Sequence, residues 1–449
     1  MTLDALTTAS RLVAMTLVAF TLVQVSVLVV LGRWRSRLPS SPPASPLLVV
    51  VIPCLNEGRV IGATVESLLA QNRADLQVLV IDDGSDDDTA DQLARFESDP
   101  RVEVFRRIMP NARQGKGQAL NAAYRNLRER QWGEHDVLIC ILDADGRLQP
   151  GAIDAVLAHF ADTSVGAVQI GVRIRNASTN LLARLQDVEF LVYTEVYQRG
   201  RNRLESVGLG GNGQFARLRA LQDLGDSPWS DCLTEDLDLG VRLLLAGHRN
   251  RYCPTAVVDQ QGVVEVRRFV RQRTRWFQGH LQCWGLLPPV LRSSLPLRAR
   301  VDLGLQLTST VQLLLASVAI TTAWILGAVA AVLQVQHPTE VLLGAAGMKT
   351  YLVAFSPSPL IAWIYWRRHP EIGFVRGLIV SHLFMVYTCL WFVAGWRAVV
   401  RHTRRQRSWA KTARVIELTA ERPALGLAVG TAGHTSSDPV ANPTERQSA

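Results

Sequence analysis

The run Val137-Leu-Ile-Cys-Ile-Leu-Asp-Ala-Asp145 decides the fold, because six apolar residues lead directly into two carboxylates, Asp143 and Asp145. A short apolar run ended by polar residues is typical of a strand buried on both faces of a parallel sheet. Carboxylates at such a strand end can bind a divalent cation, which can in turn hold a diphosphate. An Asp-x-Asp pair also occurs in plain turns, so the rest of the chain has to separate these two interpretations.

Apolar runs alternate with helical patterns around this stretch. Strands are predicted at 47–52, 78–81, 102–105 and 137–142, and helices at 60–71, 90–96 and 117–130. This alternation predicts an α/β fold with a mainly parallel sheet, whose ligands bind at the carboxyl ends of the strands. Polar motifs follow three of the strands, at Pro53–Glu57, Asp82–Ser85 and Asp143–Asp145. Pro53 is expected to end the first strand.

Four apolar stretches indicate a membrane protein. Leu12–Gly32 is uncharged and long enough to span a bilayer, and we interpret it as a retained anchor. The others are Asp302–Glu340, Val341–Trp366 with an internal Ser-Pro-Ser-Pro break, and Gly377–Trp396. The predicted organisation is an anchor at 1–37, a linker at 38–46, a catalytic domain at 47–265, interfacial helices at 266–300 and a transmembrane region at 301–400. Residues 401–449 are predicted to be a basic juxtamembrane segment followed, from about Pro423, by a disordered tail.

The charge distribution argues for a membrane edge and against nucleic-acid binding. The net charge is +9, and basic clusters flank the apolar runs at 33–37, 367–368 and 397–414. The cluster at 33–37 predicts a cytoplasmic catalytic domain in a multi-pass protein of the cell membrane. Three C-terminal spans would leave 397–414 outside, so either one segment is re-entrant, with Val341–Trp366 as the candidate, or the tail breaks the trend. The six cysteines show no paired spacing and are expected to be reduced thiols.

Two loops in the first half of the chain carry candidate ligand contacts. Asp82 and Asp83 stand side by side at a strand end, where carboxylates can accept hydrogen bonds from a nucleoside, although a capped turn gives the same pattern. Lys116 is one of only three lysines in a chain with 48 basic residues, and its compact ammonium between two glycines suits a phosphate. A flexible loop is the alternative for Lys116.

A glycine-rich segment follows further along the chain. Gly210-Gly211-Asn212-Gly213 indicates an unusual backbone conformation or the close approach of another group, and a simple turn is the alternative.

Two motifs in the second half suggest catalysis and acceptor binding. Thr234-Glu235-Asp236 precedes a predicted helix, so it is either a helix cap or the site of a general base. Gln272-Arg273-Thr274-Arg275-Trp276 lies in an Arg- and Trp-rich run typical of an interfacial helix. Arg275 could additionally neutralise a diphosphate, and Trp276 could stack on a sugar ring.

These motifs, in this order, resemble the membrane-integrated inverting glycosyltransferases of family 2, the group of cellulose, hyaluronan, chitin-oligosaccharide and poly-N-acetylglucosamine synthases. The resemblance covers about residues 47–285. It implies a GT-A-type, Rossmann-like fold, a nucleotide-sugar donor, and a Mg²⁺ or Mn²⁺ cofactor. It departs from the group in having one N-terminal span and no apparent cyclic-dinucleotide-binding segment.

The resemblance also implies roles for individual residues. Asp236 would be the catalytic base and Asp145 the metal ligand. The nucleotide-sugar would contact Pro53, Asn56, Glu57, Asp82, Asp83, Lys116 and Asp143. The acceptor and diphosphate would contact Gly211, Asn212, Gly213, Glu235, Gln272, Arg275 and Trp276.

The expected function is processive synthesis of a β-linked cell-surface polysaccharide. The alternatives are transfer of one sugar to a lipid acceptor and, from another class, a transporter with a regulatory domain. The expected partners are a UDP-sugar, with UDP-N-acetylglucosamine and UDP-glucose ahead of GDP-mannose, a polysaccharide or lipid-linked acceptor, and membrane lipids. Nucleic acid is not expected as a partner.

Overall fold

A computed structural model of the chain describes residues 3–33, 46–133, 135–333 and 345–406. The strands are β1 Leu47–Cys54, β2 Leu76–Asp82, β3 Val102–Arg106, β4 Val137–Ile141, β5 Arg147–Leu148, β6 Val165–Ile174, β7 Gln214–Arg217 and β8 Arg249–Gln260. The helices up to the end of the sheet are α1 Leu3–Gly32, α2 Gly58–Leu69, α3 Thr89–Ala94, α4 Lys116–Arg128, α5 Ala152–Leu157, α6 Leu181–Val192, α7 Arg199–Leu204, α8 Leu218–Gln222 and α9 Glu235–Leu245. The later helices are α10 Val266–Gln282, α11 Leu287–Arg292, α12 Leu297–Leu333, α13 Ala345–Phe355, α14 Ser358–Arg368, α15 Phe374–Tyr387 and α16 Cys389–Thr403.

The eight strands form one sheet in the order β3-β2-β1-β4-β7-β6-β8-β5. The β3-β2-β1-β4 half is parallel throughout. β7 runs antiparallel to both of its neighbours, β6 and β8 are again parallel, and the short β5 is antiparallel to β8. The predicted mainly parallel α/β sheet is confirmed, and its carboxyl edge carries the polar motifs.

Helices cover both faces of the sheet, as the two-sided burial of the central strands requires. Along β1, Leu48, Val50 and Ile52 pack on one face against α2, α3 and α5. The alternate residues Val49 and Val51 pack on the other face against α4, α8 and α9. The period-two alternation along one strand therefore assigns its side chains to two separate cores.

The first strand differs from its prediction at Pro53. β1 continues through Pro53 to Cys54, because its ladder with β2 extends to Cys54 while its ladder with β4 ends at Val51. A proline without an N–H is tolerated where the strand on one side has already ended. The other predicted strands and helices in this region are confirmed, with ends shifted by one or two residues.

The apolar stretches form helices after the predicted pattern. Three helices in the described residues are long and apolar enough to cross a membrane, at Thr8–Gly32, Leu297–Leu326 and Phe374–Thr403. The predicted break in the third apolar stretch is present, because α13 and α14 are separated at 356–357. Most of the predicted linker, most of the basic juxtamembrane segment and the predicted disordered tail lie outside the described residues. The domain boundaries stay predictions.

Candidate functional site

A cavity of about 840 Å³ opens at the carboxyl edge of the sheet and extends along the apolar helices. Its polar end collects residues from seven separate loops and helices. Of the predicted site residues, it is lined by Pro53, Glu57, Asp83, Lys116, Asp143, Gly211, Asn212, Glu235, Asp236, Gln272, Arg275 and Trp276. Residues more than 200 positions apart in the sequence therefore meet at one place.

Lys116 lies at the centre of the polar end, at the first turn of α4. Its Nζ donates to Asp143 Oδ1 at 2.7 Å and to the Gly211 carbonyl at 2.9 Å, and it lies 3.9 Å from Glu235 Oε1. Burial alone would lower the pKa of Lys116, but the facing Asp143 and Glu235 carboxylates outweigh it and raise that pKa. One ammonium thus holds three motifs together: the Asp-x-Asp loop, the glycine loop and the acidic helix start.

Glu235 and Asp236 open α9 and face the cavity beside Lys116. Burial raises the pKa of Glu235 to about 7, opposed by Lys116 and reinforced by Asp236. Burial likewise raises the pKa of Asp236, and Lys116 again opposes this. Asp236 Oδ1 also accepts the Leu237 N–H at 2.8 Å. A carboxyl group whose pKa is moved toward neutrality is suited to accept a proton at physiological pH.

The adjacent carboxylates Asp82 and Asp83 each form an ion pair with a different arginine. Arg106 Nε lies 3.1 Å from Asp82 Oδ2, and Arg107 forms a buried ion pair with Asp83. Burial raises the pKa of Asp83, and the Arg107 charge opposes the rise. Sequence analysis missed both arginines, although the tandem Arg106-Arg107 directly after an apolar strand was a usable signal.

Asp145 is almost completely buried beneath the cavity, beside the Gly-Asn-Gly loop. Its Oδ2 accepts the Gln261 N–H at 2.9 Å. Asn212 spans the neighbouring gap: its Oδ1 accepts the Asp143 N–H at 3.1 Å and its Nδ2 donates to Gln260 at 2.8 Å. The Asp-x-Asp loop is therefore fixed by the end of β8 and by the Gly210–Gly213 loop, rather than forming an isolated turn.

α10 carries the Gln-x-x-Arg-Trp motif, and the buried Arg273 within that motif fixes its position. The Arg273 guanidinium pairs with Glu189 at 3.0 Å and lies 4.0 Å from the Trp276 ring centre. Phe190, Phe269 and Trp391 also surround it, at 5.9, 4.6 and 5.4 Å. A charge buried this completely is stable only when paired and enclosed in this way. The role of Arg273 was not predicted from the sequence. Its guanidinium donates to Gln272 Oε1 at 2.8 Å and lies against the Trp276 ring, so it supports these two cavity-lining side chains.

Four predicted site residues lie outside the cavity wall. Asn56 is exposed and is tied to the next loop through Asp86 Oδ1 at 2.6 Å and Ser85 Oγ at 2.9 Å. Asp82 and Asp145 are buried behind the wall. Gly213 has φ +68°, and a Cβ there would come 2.6 Å from Ile170, so this glycine shapes the loop from behind.

Comparisons with known proteins agree with this geometry. Residues 43–279 match the profile of the family described as "Glycosyltransferase like family 2". The chain belongs to this family. The matched region, more than half of the chain, contains every motif that lines the polar end of the cavity.

Family 2 relatives and one solved structure extend the comparison. The β-monoglucosyldiacylglycerol synthase of Trichormus variabilis is 31% identical over 268 residues, 58% of this chain and 55% of that protein. The poly-β-1,6-N-acetyl-D-glucosamine synthase of Staphylococcus aureus is 28% identical over 235 residues, 52% of this chain and 54% of that protein. The chain thus spans about half the length of these relatives.

The structure of the Pyrobaculum calidifontis mannosyltransferase PcManGT, solved with GDP-Man and Mn²⁺, has a TM-score of 0.59 and 19% identity, covering 88% of this chain and 99% of that chain. This likeness concerns the fold, and it confirms the predicted GT-A-type architecture of this family 2 member.

Proposed function

We propose that this chain is an inverting glycosyltransferase that moves one sugar from a nucleotide-sugar to a hydroxyl of a membrane lipid. A single observation carries the proposal. The cavity that holds Lys116, Asp143 and Asp236 continues without interruption between α1 and α12. A polar reaction site that opens into an apolar, helix-lined space suits an acceptor with a polar head and acyl chains.

The residues of the polar end fit a direct displacement at the anomeric carbon. Asp236 accepts the proton of the acceptor hydroxyl as its oxygen attacks, and the sugar–phosphate bond breaks on the opposite face. The nucleoside diphosphate leaves with the bonding electrons, which inverts the configuration of the anomeric carbon. Lys116 and Arg275 offset the negative charge that develops on the leaving group, and Asp83 with Arg107 holds the nucleoside.

Asp143, which lines the cavity, would hold Mg²⁺ or Mn²⁺ jointly with the substrate, and the buried Asp145 two positions along the same loop would supply the second carboxylate. Among the described residues, no group of three or more acidic, His or Cys side chains is placed to hold an ion alone. Mg²⁺ is commonly bound by one or two carboxylates together with substrate phosphates and water, and two neighbouring carboxylates are what Asp143 and Asp145 provide. The ion supplies positive charge to the diphosphate.

The wall of the apolar end argues for a lipid acceptor. The α1 and α12 residues that line it carry no charged side chain, and most are aliphatic or aromatic: Ala14, Leu17, Val18, Phe20, Leu22, Val25, Leu305, Leu313, Ala316 and Ile320. The polar lining residues on these two helices are Thr21, Gln24, Ser26, Gln306, Ser309 and Gln312. Binding of acyl chains against such a surface is favourable by roughly 25 cal/mol per Å² of apolar area removed from water.

A second candidate is the extension of a polysaccharide, which one observation favours. Trp276, Tyr193 and Tyr197 are among the residues that line the cavity. Aromatic rings in this position offer stacking faces to the sugars of a growing chain. Names of relatives support both acceptors, since one is a glucosyldiacylglycerol synthase and another a polysaccharide synthase.

The test uses the full chain, purified and placed in lipid nanodiscs that contain diacylglycerol. Radiolabelled UDP-glucose, UDP-N-acetylglucosamine and GDP-mannose are supplied separately, with Mg²⁺ or Mn²⁺. The proposal predicts that one donor transfers label to a product that extracts into organic solvent and contains one sugar. An Asp236→Asn variant serves as the matched background.

The outcomes separate the candidates. A labelled, water-soluble product of high molecular mass would show that the chain extends a polysaccharide and does not transfer one sugar to a lipid. An absence of both products, with no release of nucleoside diphosphate from any donor, would contradict glycosyl transfer altogether.

A further inference from the structure

Residues 374–403, which form α15 and α16, have the length and apolarity of a membrane span. A straight helix of this length would be about 45 Å long and would carry its two ends to opposite sides of a bilayer. A helix that crosses the bilayer should therefore contact the catalytic domain at one end only.

The segment begins against the catalytic domain. In the loop that precedes α15, His369 contacts Arg173 and Asp187, and the adjacent Arg368 pairs with Glu195. Arg173 lies in β6 and Asp187 in α6, both inside the region that matches the family profile. The start of the segment is thus on the same side of the membrane as the catalytic residues.

The segment also ends against the catalytic domain. Arg401 Nε donates to Gln278 Oε1 at 3.1 Å, and Gln278 Nε2 donates to the Gln406 carbonyl at 2.7 Å. Gln278 is a buried residue of α10, within one helical turn of the cavity-lining Arg275 and Trp276. The two ends of a spanning helix could not both reach this domain.

The middle of the segment contacts charged groups of the same domain. The Tyr387 hydroxyl donates to the Glu189 carboxylate, and the Trp391 ring centre lies 5.4 Å from the Arg273 guanidinium carbon. In a span, these residues would lie near the bilayer centre, where an ion pair such as Arg273–Glu189 is costly. α15 packs against α6 and α14, whereas α16 runs along α10 and also packs against α12, where the Trp396 indole donates to Ser317 Oγ at 3.0 Å.

The surface that α15 and α16 turn away from the domain is apolar and basic. Val375, Ile379, Val386 and Val393 are each more than half exposed. Arg397, Arg404 and Arg405 are exposed at its C-terminal end. An apolar face bordered by arginines matches acyl chains beneath anionic headgroups, which is the arrangement of a helix that lies in the membrane surface.

We propose that α15 and α16 lie in the membrane surface on the catalytic side and do not cross the bilayer. The broken helix pair α13 and α14 then crosses the bilayer and returns the chain to this side, instead of being re-entrant as considered in the sequence analysis. The basic stretch that starts at Arg397 stays with the catalytic domain, which agrees with the positive-inside trend. The lipid surface would also hold α16 against α10, and so would position the cavity-lining Gln272, Arg275 and Trp276. This inference does not depend on the identity of the acceptor.

Labelling of single cysteines tests the sidedness. Asp91→Cys, Glu371→Cys and Thr403→Cys are introduced separately into the full chain with Cys232 and Cys389 replaced by serine, because the other four cysteines are buried. A membrane-impermeant maleimide is applied to sealed vesicles of each orientation. The proposal predicts that all three positions react from the same side, and each variant must retain glycosyl transfer to count as folded. Reaction of Thr403→Cys only from the side opposite to Asp91→Cys would overturn the proposal.

The depth of an α15 residue in the bilayer, measured by fluorescence quenching, tests whether this helix lies in the membrane surface. Ile379→Cys is labelled with an environment-sensitive fluorophore in nanodiscs whose lipids carry a quencher either near the headgroup or at the chain end. We expect stronger quenching from the headgroup position. Ile325→Cys on α12, 58% exposed within a candidate span, is the matched control and should be quenched most from the chain end. Preferential chain-end quenching at Ile379→Cys, or no quenching there from either position, would contradict an interfacial location.

Discussion

Gly279 of α10 lies directly against Thr234, the residue that precedes the acidic pair Glu235-Asp236. A Cβ atom at Gly279 would come 2.6 Å from the Thr234 backbone nitrogen and equally close to its side chain. Helix α10 can therefore approach the start of α9 only because this position has no side chain. The contact sets the spacing between the proposed base and the Gln-x-x-Arg-Trp motif.

Gly279→Ala should separate these two elements and slow transfer. A displacement of about 1 Å in a reaction site can cost about 100-fold in rate, so we expect kcat to fall by that order. The measurement is the transfer rate at saturating donor. Gly285→Ala is the control, because a Cβ at Gly285 meets no atom within 4 Å. Equal rates for the two variants would show that the close contact is irrelevant to catalysis.

Lys116→Met should remove the charge that three acidic side chains share. Without it, burial and mutual repulsion raise the pKa values of Glu235 and Asp236 further, and donor binding and turnover should both fall. The fold should lose about 2 kcal/mol, less than a fully buried pair would cost, because the Asp143 side chain is 29% exposed. Thermal unfolding and donor titration measure the two effects.

The control for Lys116→Met is Arg95→Met, which breaks an exposed ion pair with Glu66. Such a pair contributes about 1 kcal/mol or less, so donor affinity should not change and the unfolding midpoint should change little. If the Lys116 variant behaves like this control, Lys116 is not the organising cation of the site.

Glu235 should make stability depend on pH in one direction. Its pKa is raised from 4.5 to about 7 in the folded protein, so the folded state binds more protons than the unfolded state between those values. Stability therefore falls as pH rises through this window. Glu235→Gln removes this pH dependence. The unfolding midpoint of the variant, relative to that of the parent chain, should therefore rise as the pH increases from about 5 to about 8. A constant difference between the two midpoints would contradict the raised pKa.

Trp276→Ala should impair acceptor use more than hydrolysis of the donor. The indole lines the cavity, while Arg273 covers one face and the Phe190 ring centre lies 6.1 Å from its own. Release of nucleoside diphosphate to water should persist while product formation falls. A parallel loss of both activities, with a lower unfolding midpoint, would assign Trp276 to the support of Arg273 instead.

The sequence was sufficient for features that depend on local pattern. The apolar run 137–142 and its acidic end predicted a buried strand and a polar site, and the uninterrupted apolar run 47–52 predicted a buried strand in a sheet covered on both faces, which agrees with its two cores. The ordered motifs also predicted which loops meet at the cavity. These features repeat a known relation between residue period and local structure, so no long-range information was needed.

The partners of the motif residues were beyond such reasoning. Arg273 stands directly after Gln272 in the sequence, but its buried guanidinium pairs with Glu189, a residue of α6 that no local pattern connects with it. Gly279 gave no signal at all, because its importance comes from Thr234, 45 positions earlier. Likewise, hydropathy made 377–396 resemble a span, while the contact of Tyr387 with Glu189, and that of Gln406 beyond the segment with Gln278, follow only from the tertiary structure.

The most direct test of the account is transfer by Asp236→Asn under single-turnover conditions, with donor affinity measured on the same nanodisc sample. The substitution keeps the shape of the side chain and removes its ability to accept a proton. The account predicts donor affinity close to that of the parent chain and a transfer rate lower by about 100-fold to 10,000-fold. Transfer at the parental rate would contradict Asp236 as the base, and with it the proposed chemistry of the cavity.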